Sequence, residues 1–354
     1  MTDLKLPGRL GDPDMTFGDD PRADSRIAQA MALMELAPGL ENLPLDAGYE
    51  DCLNYCMAFE QAAQLGDPMM WDAMPDFSDL ETSTEVIQGV DGNDITLHIS
   101  SPKNRTGPLP GIVHTHGGGM VLMTAEDPAS VRWRHSLAQK GMVVVGIEFR
   151  NGGGRLGPHP FPAGLNDCAT GAKWTIANKE DLGISSIVIS GESGGGNLCI
   201  ATTLKALKEG WVAGIDGVYA MCPYIAGSYA QQPADLLSLH ENNTYMLDCA
   251  QMASLVTVYD PTGESAKDPL AWPLQANIDE LKGLPPHVIS VNQLDPLRDE
   301  GLKFYGKLVR AGVSATARTV NGTPHAGDMS FADIAPEITA ETLRSIHGFA
   351  SSLG

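Results

Sequence analysis

The chain is short of positive charge. Of its 354 residues only 23 are Lys or Arg, against 44 Asp or Glu, for a formal net charge of −21. Phosphate backbones and anionic bilayers bind through a basic face, so this balance disfavours nucleic acid and anionic membrane surfaces, and neither is expected as a partner. Long apolar runs are missing too, and no stretch approaches the ~18 residues of a membrane span. The opening segment "MTDLKLPGRLGDPDMTFGDDPRADSR" has no apolar centre and is acidic where a signal peptide is basic. Cysteine is sparse and scattered: Cys52, Cys56, Cys168, Cys199, Cys222 and Cys249. Cys52 and Cys56 are spaced for one helix face, but no second pair accompanies them to make a zinc site. Reduced thiols in a cytoplasmic protein are the expectation. Apolar residues are plentiful, 43% against 19% charged, enough for a substantial core.

From about residue 80 onward, β-type runs alternate with helical patterns. Strands are expected at 95–100, 111–116, 142–149, 186–190, 217–222, 287–291 and 315–320. Helices are expected near 128–140, 163–179, 196–209, 298–311 and 336–352. Several strands are apolar on both faces, which predicts an α/β fold with a mostly parallel central sheet covered by helices on both faces. Two regions break the rhythm. The first 75 residues contain helical stretches ("SRIAQAMALMEL", "GYEDCLNYCMAFEQAAQL") and no convincing strand, and a second irregular stretch runs from Tyr224 to about Asp260. Segments 1–75 and 224–262 are therefore expected to form a helical cap, and 76–223 with 263–354 the catalytic unit.

The stretch "SIVISGESGGGNLCIATTLKA" holds the pattern Gly-x-Ser-x-Gly as Gly191-Glu192-Ser193-Gly194-Gly195, between a strand and a helix. Such a turn presents its serine at the top of the sheet, and glycines two positions either side remove collisions with the neighbouring elements. Glu192 either tunes the electrostatics or fills the variable position; the sequence leaves both open. An alkyl hydroxyl is a poor nucleophile at neutral pH and needs a base and an orienting acid. In this arrangement they follow in the order serine, acid, histidine. Asp295 in "HVISVNQLDPLRDEG" stands just past a strand end, whereas Asp299 falls at a helix start, where a carboxylate serves the dipole. His325 in "VNGTPHAGD" is the base candidate. His98, His240, His287 and His347 fall in strands, in the cap or in the last helix.

A third signal is "HTHGGGM", His114 to Met120, at the end of an early strand. The oxyanion formed when an ester carbonyl is attacked needs backbone N–H donors already in place. Gly117 and Gly118 are expected to supply two and Gly194 a third, with His116 and Gly119 shaping the loop and His114 a buried neighbour. The loop lacks the lysine and Ser/Thr of a phosphate-binding loop and does not match the dinucleotide pattern. Met120 and Met123 are expected mainly in the core, with a pocket lining as the other option.

With "HGGGM", "HPFPAGLNDC", "GESGGGN", "GLPPHVISVNQLDPLRDEG" and "HAG" in this order, the chain from about 85 to 354 resembles the hormone-sensitive-lipase-like carboxylesterases of the α/β-hydrolase fold. The resemblance implies a serine carboxylesterase with Ser193, Asp295 and His325 as triad, no metal or organic cofactor, and short- to medium-chain esters as small-molecule substrates. It is also compatible with a homodimer. The segment "FRNGGGRLGPHPFP" is longer and richer in glycine than the family's usual one, and "AGD" stands where "GF" is common. The alternatives are a hydrolase-like receptor without turnover, or a thioesterase, lactonase or peptidase using the same triad.

Overall fold

A computed structural model describes residues 6–34 and 40–354. Eight strands build one sheet: β1 (Leu80–Gln88), β2 (Asp94–Pro102), β3 (Leu109–Thr115), β4 (Val143–Glu148), β5 (Ile184–Glu192), β6 (Gly217–Met221), β7 (His287–Asn292) and β8 (Ala315–Val320). Their spatial order is β1-β2-β4-β3-β5-β6-β7-β8; β2 pairs antiparallel with both β1 and β4, and the rest of the sheet is parallel. The seven expected strands are present within a few residues. The eighth, β1, carries the sequence LETSTEVIQ, of which only Leu80 is buried. An edge strand facing water has no apolar alternation to betray it, and its place is set by pairing with β2.

The apolar runs explain the layers. Successive residues of a strand point to opposite faces, so Val145 and Ile189 enter one core while Val144 and Val188 enter another. The first face is covered by α6 (Ala163–Ala177), α7 (Gly194–Glu209) and α10 (Arg298–Arg310), through residues such as Leu165, Leu198 and Phe304. The second is covered by α5 (Pro128–Gln139) and α11 (Pro336–Ser351), through Trp133, Leu137 and Ile346. A sheet sheathed on both sides must be apolar on both sides, as the sequence implied.

The two irregular stretches hold helices that lie outside this sandwich. Before the sheet come α1 (Gly8–Gly11), α2 (Ser25–Met34), α3 (Tyr49–Gln64) and α4 (Asp67–Asp72); between β6 and β7 come α8 (Ser238–Glu241) and α9 (Cys249–Tyr259). The expected end of α2 at Glu35 and Leu36 lies outside the described residues. Cys52, Cys56 and Tyr55 of α3 share one core with Met252 and Val258 of α9, which joins the two stretches. All six cysteines are free and buried. Among the described residues no helix is long and apolar enough to cross a membrane.

Candidate active site

Ser193 sits between β5 and α7 with φ 56 and ψ −116, a left-handed conformation that L-residues rarely adopt. Local packing holds it there. Its N–H donates to Met221 O at 2.9 Å, and its carbonyl accepts from Tyr224 N–H at 3.0 Å. The flanking glycines are required by close approach: a Cβ on Gly191 would stand 2.4 Å from Thr115 O, and one on Gly195 only 1.9 Å from it. The serine is thereby raised toward a cavity while its neighbours are buried. The first turn of α7 lies beneath it, where free N–H groups favour developing negative charge.

Asp295 follows β7 and is fully buried. Its Oδ1 accepts from Leu297 N–H at 2.9 Å, and its Oδ2 accepts from His325 Nδ1–H at 2.8 Å. That bond fixes the imidazole tautomer and leaves Nε2 free on the ring that, with Ser193, lines the cavity. Burial alone would lower the His325 pKa; the Asp295 charge, reinforced by Cys222 and the hydrogen bond, outweighs it and holds the imidazole well above its ordinary 6.5. Asp299 lies in the first turn of α10, where it accepts from Ser238 N–H at 2.8 Å and plays no part here. Cys222, which the sequence did not single out, lies just past β6 with φ 33.

Cys222, Asp295 and His325 form the one cluster of metal-ligating type among the described residues, their donor atoms within 4.8 Å of one another. The Asp295–His325 separation of 2.8 Å is a hydrogen bond. Two ligands of one zinc ion stand about 3.4 Å apart when each bond is about 2.1 Å. The pair is built for proton sharing rather than for an ion.

Gly118 and Gly119, past β3, have φ 97 and 62, and Gly118 O accepts from Val121 and Leu122 N–H at 3.1 and 2.9 Å. A Cβ on Gly118 would come within 2.1 Å of Leu122 O, so only glycine closes this turn. Among the described residues neither the Gly118 nor the Gly119 N–H has a partner. Gly117 departs from its expected place as a free donor: its N–H already donates to Glu192 Oε1 at 2.8 Å. Glu192 is thus more than a filler. It is buried, its other oxygen accepts from His114 Nε2 at 3.0 Å, and it ties the serine turn to the glycine loop. Burial pushes its pKa up, but His114, the Gly117 N–H and His116 outweigh this and hold it below the usual range. His116 sits within the loop: Nδ1–H donates to Gly117 O at 2.8 Å, and the ring stacks on Phe149 at 4.1 Å. Gly194 lies against the same loop, since a Cβ there would be 2.6 Å from Gly119 N and Met120 N.

The cavity has a volume of about 340 Å³ and is walled by Tyr55 and Phe59 of α3, Met252 and Leu255 of α9, and Met329. Met123 lines it too, whereas Met120 is in the core, so the two methionines divide between the expected roles.

Comparisons with known proteins place the chain among related sequences and structures. A family model for the alpha/beta hydrolase fold matches residues 112–328. The chain is similar to carboxylesterase NlhH of Mycobacterium tuberculosis, 29% identical over 75% of this chain and 81% of that protein. It is similar to an arylesterase of Saccharolobus solfataricus, 28% identical over 76% of this chain and 84% of that one. Among solved structures, brefeldin A esterase, a bacterial homologue of human hormone sensitive lipase, superposes with a TM-score of 0.91 at 45% identity over 99% of both chains. The structure of esterase Est22 gives 0.84 at 37% identity, over 95% of this chain and 99% of that one. With a matching family model across more than half its length, and near-complete overlap with brefeldin A esterase, the chain belongs to the alpha/beta hydrolase family.

Proposed function

We propose that the protein is a serine carboxylesterase, a reading carried by the Asp295–His325 bond beside a serine held in a left-handed turn on the same cavity. Its named relatives, carboxylesterases and esterases, support the activity. His325 takes the Ser193 proton as the hydroxyl attacks the ester carbonyl, and Asp295 stabilises the imidazolium. The oxyanion is received by the N–H groups of Gly118, Gly119 and Gly194; Gly117, bound to Glu192, holds the loop. His325 then protonates the leaving alcohol and activates water to cleave the acyl-enzyme. Segments 1–75 and 224–262 act as a cap, with α3 and α9 closing the cavity over Ser193. The apolar walls suit short- to medium-chain acyl groups, and six unpaired thiols suit a reducing cytoplasm.

Hydrolysis of p-nitrophenyl butyrate by the wild type and by Ser193→Ala, both checked for folding, tests this. The expected loss in kcat is at least ~10⁴-fold, as for other triad nucleophiles. Equal activity of the two proteins would remove Ser193 from the mechanism. An inactive wild type would favour the receptor alternative.

A further inference from the structure

Glu60 is outside the triad, yet it lies on α3 only 4% exposed, against the cavity. A buried carboxylate is costly unless its oxygens are met by donors. Here the donors come from two separate loops: Oε1 accepts from Met123 N–H at 2.7 Å and Oε2 from Arg155 N–H at 2.6 Å. Met123 ends the loop that carries Gly118 and Gly119; Arg155 lies in the glycine-rich segment after β4. Unusual backbone aims both groups, with φ 69 at Met123 and φ 58 at Gly154. A Cβ on Gly154 would stand 2.7 Å from Glu60 Oε2, so the carboxylate occupies the space a side chain would take. The loops also bond each other, through Gly152 N–H to Met120 O at 2.9 Å, Gly153 N–H to Val121 O at 3.1 Å, and Asn151 Nδ2 to Met123 O at 2.6 Å.

We infer that Glu60 is a positioning residue: its carboxylate, delivered by the N-terminal helical segment, clamps the loop from Gly118 to Met123 so that the Gly118 and Gly119 N–H groups face the reacting carbonyl. The inference rests on the esterase reading and makes α3 part of the oxyanion apparatus as well as a wall of the pocket. A carboxylate accepts with both oxygens, whereas the amide of Glu60→Gln sets an NH₂ group against one of the two backbone donors. The loop must then shift. Small displacements of preorganised donors cost transition-state stabilisation and leave ground-state binding nearly untouched.

The test compares wild type and Glu60→Gln for p-nitrophenyl butyrate hydrolysis, for binding of an alkyl trifluoromethyl ketone that forms a tetrahedral adduct with serine, and for folding by circular dichroism. The expected result is a folded variant whose kcat falls ~10–100-fold with KM within about twofold. Its affinity for the ketone should weaken in proportion. A variant as active as the wild type, or a folded one whose loss lies wholly in KM, overturns the assignment. Should Glu60→Gln fail to fold at all, amide exchange in the wild type decides. The Met123 and Arg155 amides should exchange at least ~100-fold slower than in a free peptide and open together with those of α3; free-peptide rates would overturn the clamp. An inactive wild type counts against the esterase reading instead, and the exchange measurement still judges Glu60.

Discussion

At the scale of single residues, the site is decided by which hydrogen-bonding groups are already occupied. Gly117 and Gly118 are neighbours in one glycine run, but the first spends its N–H on Glu192 while the second has no partner among the described residues. The protonation of His325 is settled in the same local way. In its proposed role of general base His325 works only when neutral, that is, above its own pKa, and the Asp295 charge raises that pKa well above 6.5 against the opposing effect of burial. The rate must therefore climb with pH along a limb centred above the ordinary histidine value. A pH profile of wild-type kcat/KM for a neutral ester reads this directly; a limb centred below 6.5, or none, contradicts the arrangement.

Between elements, buried carboxylates join the helices outside the sandwich to the sheet. Glu241 of α8 accepts from Arg298 of α10 at 2.9 Å and is paired with Arg22 near the N-terminus, so three distant segments meet at one side chain. Glu300 of α10 does the same for the segment after β6, its Oε1 accepting from Ile225 N–H at 2.6 Å, Tyr229 OH at 2.8 Å and Ala226 N–H at 3.2 Å. Its Oε2 has no partner among the described residues, and burial pushes its pKa up from 4.5 to about 8 despite these donors. The folded chain then holds a proton that the unfolded chain has released. Stability from this group is complete below pH 4.5 and is lost as pH rises toward 8. Glu300→Gln cannot ionise, so its Tm relative to wild type should improve on going from about pH 5 to about pH 8.5. Calorimetry at the two pH values measures it, and a constant difference would mean that Glu300 titrates normally.

At the scale of the whole molecule, the acidic bias reaches the cavity. Glu60, Asp67, Asp127 and Glu192 line it, with no Lys or Arg among the described residues, inside a chain of net charge −21. An ester that carries its own carboxylate meets repulsion on approach and in the pocket. At low ionic strength the monosuccinate ester of p-nitrophenol should show kcat/KM at least ~10-fold below that of the butyrate, with the gap narrowing as salt is added. Equal turnover of both would show that the wall carboxylates are fully compensated by their partners.

Most of the architecture was legible in the residues, because strands apolar on both faces declare a covered sheet and steric necessity puts glycine at 191 and 195 around the serine. Ser193, Asp295 and His325 were legible as candidates because each stands at a strand's end. β1 was not legible, since a water-facing edge strand has no apolar pattern and only the open side of β2 gives it a place. Nor was the division of labour between Gly117 and Gly118, or the clamp from Glu60 to Met123 and Arg155, 63 and 95 residues away along the chain. Short-range sterics leave their mark in sequence spacing, whereas a buried carboxylate finds its donors only after the helices and loops have packed. That is why the sequence alone brought Ser193, Asp295 and His325 forward as candidates, and the tertiary structure alone showed what holds them in place.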